Sequence, residues 1–222
     1  MEEILRRIRT DLRLAMDGLV SASMRDKGAD YKLNFGVNVP KLRELAKKYR
    51  PNAELADILW KNDVRELKIL GTMLYPSEEL TNEKANEWIR SVPNQEIREQ
   101  LCVNLLQKIH FAGSLVTENI DNADESVRIT AYWLYVRLCI SRSVLIPEID
   151  PELVAEQALR DVFAENYFLR TSALNALKFA GRNSLRVAEF VLEMVQKADV
   201  LDEAWKNEVM ESLKFEYENY GR

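Results

Sequence analysis

Apolar residues recur at helical spacing along almost the whole chain, in segments separated by short polar breaks. Residues 2 to about 24 carry them at i, i+3, i+4 and i+7, which predicts one amphipathic helix. A break at residues 29–39 follows, and Pro40 then stands where a proline suits the first turn of a helix, here 40–49. The segments 53–61 and 64–75 form the clearest helix pair. The pattern therefore predicts an all-α protein.

Further pairs continue to the end of the chain, which gives about six antiparallel helix pairs in a single domain of residues 1–222. The predicted pairs are 81–91 with 95–110, 112–121 with 125–141, 151–162 with 166–180, and 184–197 with 202–218. The breaks between helices fall at Pro76, Pro93, Asn122, 147–151, Gly181 and Asp199.

An apolar residue followed by arginine recurs near the start of successive second helices. The four copies are Val64-Arg65, Ile97-Arg98, Val127-Arg128 and Leu169-Arg170, and Trp205-Lys206 is a weaker fifth. The arginines are separated by 33, 30 and 42 residues, a spacing typical of stacked helix pairs that bury their apolar faces against their neighbours. The repeat predicts an α-solenoid (an α-α superhelix) in which one helix row lines a groove with one cation per repeat.

Composition agrees with helices and excludes several classes of protein. The chain has 222 residues, of which 47% are hydrophobic, and only 7 glycines and 6 prolines. No segment has the roughly 18 consecutive apolar residues of a membrane span, and the first residues are charged, so we expect a cytoplasmic protein that uses no membrane. Cys102 and Cys139 lie in apolar runs, where a thiol serves as a small hydrophobic group.

The charged and reactive residues suggest neither a metal nor a cofactor. No glycine-rich phosphate loop, zinc-binding pattern or nucleophile motif occurs, and the single histidine, His110, stands at a predicted helix end. The four tryptophans lie on apolar helical patterns and are predicted to pack in the core. With a formal net charge of −5, any DNA binding must come from a local basic stripe.

Three segments in the first third of the chain resemble one known family. They are Tyr-Lys-Leu-Asn-Phe-Gly-Val-Asn-Val-Pro-Lys-Leu-Arg at 31–43, Leu-Trp at 59–60 and Val-Arg-Glu-Leu-Lys at 64–68. In this order they resemble the AlkD-like DNA alkylation repair glycosylases. The resemblance implies a HEAT-like α-solenoid whose concave surface holds duplex DNA and excises N3- or N7-alkylated purines.

The same resemblance implies a catalytic pair, Glu99 and Arg128. Glu99 takes the place of the family's aspartate, and a carboxylate there would stabilise the oxocarbenium character that develops on the sugar. The family's two tryptophan positions are occupied by Gln95 and Asn175, so the aromatic surfaces that pack on the lesion are replaced by amides. Candidate substitute aromatics are Tyr31, Tyr132, Tyr135 and Tyr167. The predicted DNA-binding residues are Arg65, Lys68, Gln95, Arg98, Arg170, Asn175 and Lys178.

The sequence leaves alternatives open for these residues and for the function. The repeated arginines are also the residues expected in a ladder of ion pairs between neighbouring repeats, and Glu99 also fits the solvated side of an amphipathic helix. The partner is predicted to be damaged or distorted duplex DNA, bound by a monomer, with or without glycosylase activity. A non-catalytic scaffold for a protein partner and recognition of DNA branches without chemistry remain open. A continuous positive groove would favour DNA, whereas arginine–carboxylate ladders would favour the scaffold.

Overall fold

The computed structural model describes residues 1–26 and 31–220, and within them the regular structure is helical. Short 3-10 turns at Ser77–Glu79, Leu106–Lys108 and Ile146–Glu148 and one isolated parallel bridge between Leu33 and Val64 accompany the helices. The α-helices are α1 (Glu2–Leu14), α2 (Gly18–Asp26), α3 (Val39–Ala46), α4 (Ala53–Lys61), α5 (Arg65–Leu74), α6 (Asn82–Arg90), α7 (Gln95–Asn104), α8 (Ala112–Asn119), α9 (Glu125–Ile140), α10 (Pro151–Asp161), α11 (Tyr167–Asn183), α12 (Leu185–Lys197) and α13 (Glu203–Tyr220).

Capping side chains fix where many of these helices begin. An Asn, Asp or Ser before the first turn accepts a hydrogen bond from a backbone N–H that has no partner inside the helix. This explains why the predicted starts agree with the observed ones to within about two residues. The caps are Asn38, Asn52, Asn94, Asp124, Asp150, Asn166 and Ser184.

The prediction of one helix over residues 2–24 is wrong, because the chain breaks between α1 and α2. The Asp17 carboxylate accepts hydrogen bonds from the N–H groups of Leu19 and Val20, both at 3.0 Å, and so starts a second helix. The break also receives a neighbouring segment, since the N–H of Asp17 donates to the Phe35 carbonyl at 3.0 Å. Periodicity alone does not detect such a cap inside an apolar pattern. Two residues of the break predicted at 29–39, Ala29 and Asp30, lie outside the described residues.

The predicted break at Gly181 is also wrong, because α11 continues through it to Asn183. Gly181 is buried, and a Cβ at this position would overlap the ring of Tyr217. The glycine therefore permits close packing of α13 on α11 instead of ending the helix.

The helices form two compact units, and the first comprises residues 1–85 and 92–109. In its described part, α4 packs along α5, and α3 and α7 pack on α5 as well. Leucines from these helices fill the core, among them Leu42, Leu59, Leu70 and Leu101, each 0% exposed. A helix pair whose second helix, α5, also contacts helices of the neighbouring pairs is the repeat packing that the sequence predicts.

The second unit comprises residues 86–91 and 110–222 and is described as far as residue 220. Here α8 packs on α9, α10 on α11 and α12 on α13; the second helices α9, α11 and α13 also pack in succession. The all-helical repeat architecture is thus confirmed, whereas a single domain over 1–222 stays a prediction. Within the described ranges no helix combines the length and the apolar character needed to cross a membrane.

Candidate functional site

In the first unit, the predicted catalytic carboxylate Glu99 lies on α7 beside two other predicted site residues. The Gln95 side-chain amide donates to Glu99 at 3.1 Å, and the Arg98 guanidinium donates to the Gln95 side-chain oxygen at 2.6 Å. Arg98 is buried, at 5% exposure, whereas Glu99 is half-buried. Burial raises the pKa of Glu99, and the nearby charge of Glu96 adds to this, against the opposing hydrogen bond from Gln95.

Arg65 lies inside the first unit, where its guanidinium is fully engaged. Its side chain is 2% exposed. The Nε and Nη2 groups donate to the Glu96 carboxylate at 2.6–3.1 Å, and Nη1 donates to Glu66 at 3.0 Å and to the Val37 carbonyl at 2.8 Å. Burial and this pairing favour the ion-pair alternative for Arg65, and its predicted DNA contact remains untested.

The two carboxylates around Arg65 hold the segment that precedes α3. Glu66 is 0% exposed and accepts the N–H groups of Phe35 at 3.0 Å and Val37 at 3.3 Å. The Tyr31 hydroxyl donates to Glu96 at 2.6 Å. Burial raises the pKa of Glu96, but the hydrogen bonds from Arg65 and Tyr31 outweigh burial and bring this pKa below its usual value. The family-like sequence at 31–43 and 64–68 thus serves a structural network here.

Lys68, on the same helix as Arg65, is half-buried and caps a neighbouring helix. Its ammonium group donates to the Trp60 carbonyl at 2.8 Å near the end of α4, and it lies 5.5 Å from the centre of the Trp60 ring. Burial lowers its pKa. Trp60 itself is buried, as predicted.

In the second unit, Arg128 on α9 is held by a carboxylate at the end of α10. Its Nε and Nη2 groups donate to the two oxygens of Asp161 at 2.8 and 3.0 Å, a bidentate pair, and Nη1 donates to the Asn122 carbonyl at 2.7 Å. The Tyr132 hydroxyl completes the cluster by donating to Asp161 at 2.8 Å. Only 17% of the Arg128 side chain is exposed.

The remaining predicted contacts lie on α11 in the second unit. Arg170 lies over the Trp205 ring, 4.5 Å from its centre, and its Nη1 is 3.7 Å from Asp202. Lys178 is half-buried. Asn175 is exposed and lines a small depression together with Trp133. Trp133 is only partly buried, so the prediction that it belongs to the core is correct only in part.

Of the candidate substitute aromatics, Tyr132 and Tyr135 cannot present a ring to a ligand, because they are 0% and 1% exposed. The proposal that they replace the lost tryptophans is therefore wrong. Tyr31 is half-buried and bonded to Glu96, whereas Tyr167 is 61% exposed at the start of α11. Its neighbour Phe168, which sequence reasoning missed, is 48% exposed with its ring centre 5.7 Å away. Periodicity would have marked both as apolar positions off the buried face.

Within each unit, arginines reach carboxylates that lie 31 to 34 residues further along the chain. These are the Arg65–Glu96, Arg128–Asp161, Arg170–Asp202 and Arg182–Glu216 pairs. The spacing equals one repeat, so each pair ties one helix pair to the next. This is the ladder that the sequence left open as the alternative to a binding row.

The titratable residues offer no metal site within residues 1–26 and 31–220, where no group of three His, Cys, Asp or Glu side chains converges. Cys102 is buried, and burial raises the pKa of the partly buried Cys139. A thiol with a raised pKa is a poor nucleophile.

Comparison with known proteins adds evidence beyond this geometry. The family model of the DNA alkylation repair enzyme matches residues 8–206. One solved structure comes from a new family of proteins related to the HEAT-like repeat DNA glycosylases with affinity for branched DNA structures; it matches with a TM-score of 0.76 and 16% identity over 96% of this chain and 93% of that chain. At this identity the likeness shows the fold, which confirms the HEAT-like repeat class. No curated protein gives a significant match.

Proposed function

The chain belongs to the DNA alkylation repair enzyme family, and we propose that within this family it recognises branched or distorted duplex DNA without excising bases. The state of Arg128 is the observation that argues against excision. Because the arginine ladder by itself would also suit a protein scaffold, DNA as the partner is supported by the family match and by the exposed rings at the start of α11. The Nε and Nη2 groups of Arg128 donate to Asp161, and its Nη1 group donates to the carbonyls of Asn122 and Ala123, so the side chain links α9 to the end of α10. The charge is thereby neutralised and is not free to meet a phosphate or a lesion.

The surroundings of Glu99 also favour recognition without excision. Gln95 stands beside the carboxylate where the resembling family has an aromatic ring, and an amide offers no π surface to a cationic base. Burial raises the pKa of Glu99, which disfavours the ionised form that would stabilise positive charge on a sugar.

Exposed aromatic rings supply a different means of contacting DNA. Tyr167 and Phe168 stand together at the start of α11, next to Arg170. Rings of this kind stack on exposed base faces, whatever the sequence, and base faces become exposed where a duplex is branched or distorted. The solved structure to which this chain is similar belongs to proteins with affinity for branched DNA structures.

Base excision is the second candidate function, and one observation favours it. The half-buried Glu99 carboxylate accepts one hydrogen bond, from the Gln95 amide, so it retains a lone pair for a substrate or a water molecule. Excision through Glu99 would have to proceed without the aromatic contacts implied by the family resemblance.

The test combines binding and base release on matched DNA. Fluorescence anisotropy compares a four-way junction with a linear duplex of the same sequences at about 50 and 200 mM salt, because phosphate contacts weaken steeply over this range. We expect tighter binding to the junction, weakened by salt. Equal or absent binding to both DNAs would refute the proposal, and absence would favour the protein scaffold.

The same preparation is incubated with duplexes that contain N7-methylguanine or N3-methyladenine, and free base is measured. We expect no release above that of a reaction without protein. Release that disappears in Glu99→Gln, with helicity unchanged by circular dichroism, would establish excision instead. Arg128→Lys is the accompanying variant, because it retains a cation beside Asp161.

A further inference from the structure

Charge is distributed unevenly along the chain. Residues 1–50 contain 12 Lys or Arg and 7 Asp or Glu, a formal charge of +5, whereas residues 51–222 contain 19 and 29, a formal charge of −10. The acidic balance of the whole protein therefore hides a basic N-terminal segment. A polyanion approaching the protein is attracted to this segment and repelled by the rest.

The basic residues of α1 share one face of the helix. Arg6, Arg9 and Arg13 follow at intervals of three and four residues, with Thr10 between them, and all four side chains are exposed. Two neighbouring depressions have Arg6 and Thr10 in common; one of them also includes Arg9 and Arg13. The arginines thus line a continuous surface along the helix.

No carboxylate among the described residues forms an ion pair with these three arginines. The Arg9 guanidinium donates a long hydrogen bond of 3.5 Å to the Asn62 side-chain oxygen. They differ in this respect from Arg65 and Arg128, whose guanidinium groups bind the buried carboxylates of Glu66 and Asp161 respectively. Unpaired guanidinium groups are the form in which arginine binds phosphate.

The helix that carries them is fixed to the first unit. On its other face Ile8 and Leu12 are 1% and 0% exposed. Asp11 accepts hydrogen bonds from Lys48 at 3.1 Å and from the Tyr49 hydroxyl at 2.9 Å, which attaches α1 to the chain just after α3. An amphipathic helix that binds a membrane must insert its apolar face, and here the centre of that face at Ile8 and Leu12 is already buried, while Ile4 is 38% exposed. This favours a nucleic acid over a lipid surface.

We infer that the exposed face of α1, defined by Arg6, Arg9 and Arg13, is a second DNA-binding surface that contacts the phosphate backbone. The inference rests on the proposed DNA binding and adds a surface outside the row of residues from Arg65 to Lys178. Arg6 and Arg13 are separated by about 10 Å along the helix axis at 1.5 Å per residue. That distance accommodates two or three phosphates of one strand, which follow at about 3.4 Å of duplex axis each. The contacts are to the backbone, so the surface carries no sequence preference.

The test replaces all three arginines by glutamine, which retains helix propensity and removes the charges. The matched control replaces three exposed cations of the second unit by glutamine, and so changes the net charge by the same amount as the α1 variant; they are Arg160, Lys197 and Lys214. Binding to the four-way junction is measured by anisotropy over a range of salt concentrations. Each lost phosphate contact lowers the slope of log K against log salt by about 0.9, so we expect the α1 variant to lose about 2 to 3 and the control almost nothing.

Four outcomes other than the expected one separate the possibilities, with circular dichroism confirming that both variants are folded. An α1 variant with the slope and affinity of the wild type overturns the inference but leaves the proposed function intact. Equal loss in both variants overturns it as well, since net charge alone would then explain the effect. A wild type that binds no DNA refutes the proposed function itself. Vesicles of phosphatidylserine and phosphatidylcholine are tested in parallel; binding to them but not to DNA, lost in the α1 variant, identifies a lipid surface and overturns the inference.

Discussion

Replacing Arg65 by methionine tests whether this arginine stabilises the fold or serves as a DNA contact. The substitution leaves the Glu66 carboxylate, which is 0% exposed, with only the two N–H donors of Phe35 and Val37. Glu96 and the Val37 carbonyl also lose their donors. Removing one partner of a buried ion pair costs about 3–5 kcal/mol, because a charge remains buried without compensation.

The free energy of unfolding is measured by urea titration at pH 7, followed by circular dichroism, and the melting temperature by a thermal scan. For a chain of this size each kcal/mol corresponds to a fall of about 2–4 °C, so we expect a fall of roughly 6–20 °C. The control is Arg43→Met at an exposed arginine of α3, which should change stability by no more than about 0.5 kcal/mol.

A double variant identifies the mechanism. Adding Glu66→Gln to Arg65→Met removes the uncompensated charge, so the double variant should be more stable than the sum of the two single changes predicts. An Arg65→Met protein as stable as the Arg43→Met control would refute the reasoning, and it would restore Arg65 as a candidate DNA contact.

Three further predictions concern single residues. Gly36→Ala should lower the free energy of unfolding by about 1–3 kcal/mol or more, since Gly36 has φ +70° and a Cβ would lie 2.7 Å from the Ser21 nitrogen. Its control is Gly18→Ala, where a Cβ meets nothing within 4 Å, and this variant should not destabilise the protein in a urea titration. At pH 7 Glu96→Gln should lower the free energy of unfolding, because the pKa of Glu96 is shifted down, and Glu99→Gln should raise it by less than about 1 kcal/mol, because the pKa of Glu99 is shifted up. In urea titrations the loss in Glu96→Gln should shrink progressively as the pH falls below about 4.5, and a pH-independent loss would contradict this. Tyr167→Ala should weaken junction binding by about 1–3 kcal/mol without changing the melting temperature, and unchanged anisotropy would exclude stacking.

The helices could be predicted from the sequence because each has two signals that agree. Apolar spacing marks the buried face, and a capping Asn, Asp or Ser marks the start, as at Asn52 and Asn166. The two errors have different causes. At Asp17 a local capping signal stands inside an apolar pattern that continues across it, so the spacing alone predicts one helix. Gly181 lies inside a helix because Tyr217 packs on it, and this contact has no local sequence signal.

The candidate site was less predictable, since the sequence does not reveal which charged residues are paired. Arg65, Arg98 and Arg128 occupy equivalent positions, and a cation at each repeat has the same pattern whether it faces a phosphate or a carboxylate of the next repeat. The carboxylate partners are 31 and 33 residues away for Arg65 and Arg128, beyond the range of any helical spacing rule. The sequence also did not indicate that Tyr132 is buried, since its hydroxyl donates to Asp161, 29 residues further along the chain.

The distribution of paired and unpaired arginines favours α1 as the place where the proposed DNA ligand would bind. An arginine that is bonded to a buried carboxylate gains little by turning to a phosphate, because the carboxylate would be left uncompensated in a medium of low polarity. The arginines of α1 have no such competitor among the described residues, and their side chains already lie in solvent. If DNA binds as proposed, the binding energy per cation should therefore be larger on α1 than at Arg65 or Arg128, whichever DNA structure is recognised. We therefore expect that replacing the arginines of α1 changes the salt dependence of DNA binding more than replacing Arg65 or Arg128 does, when all the variants compared are folded.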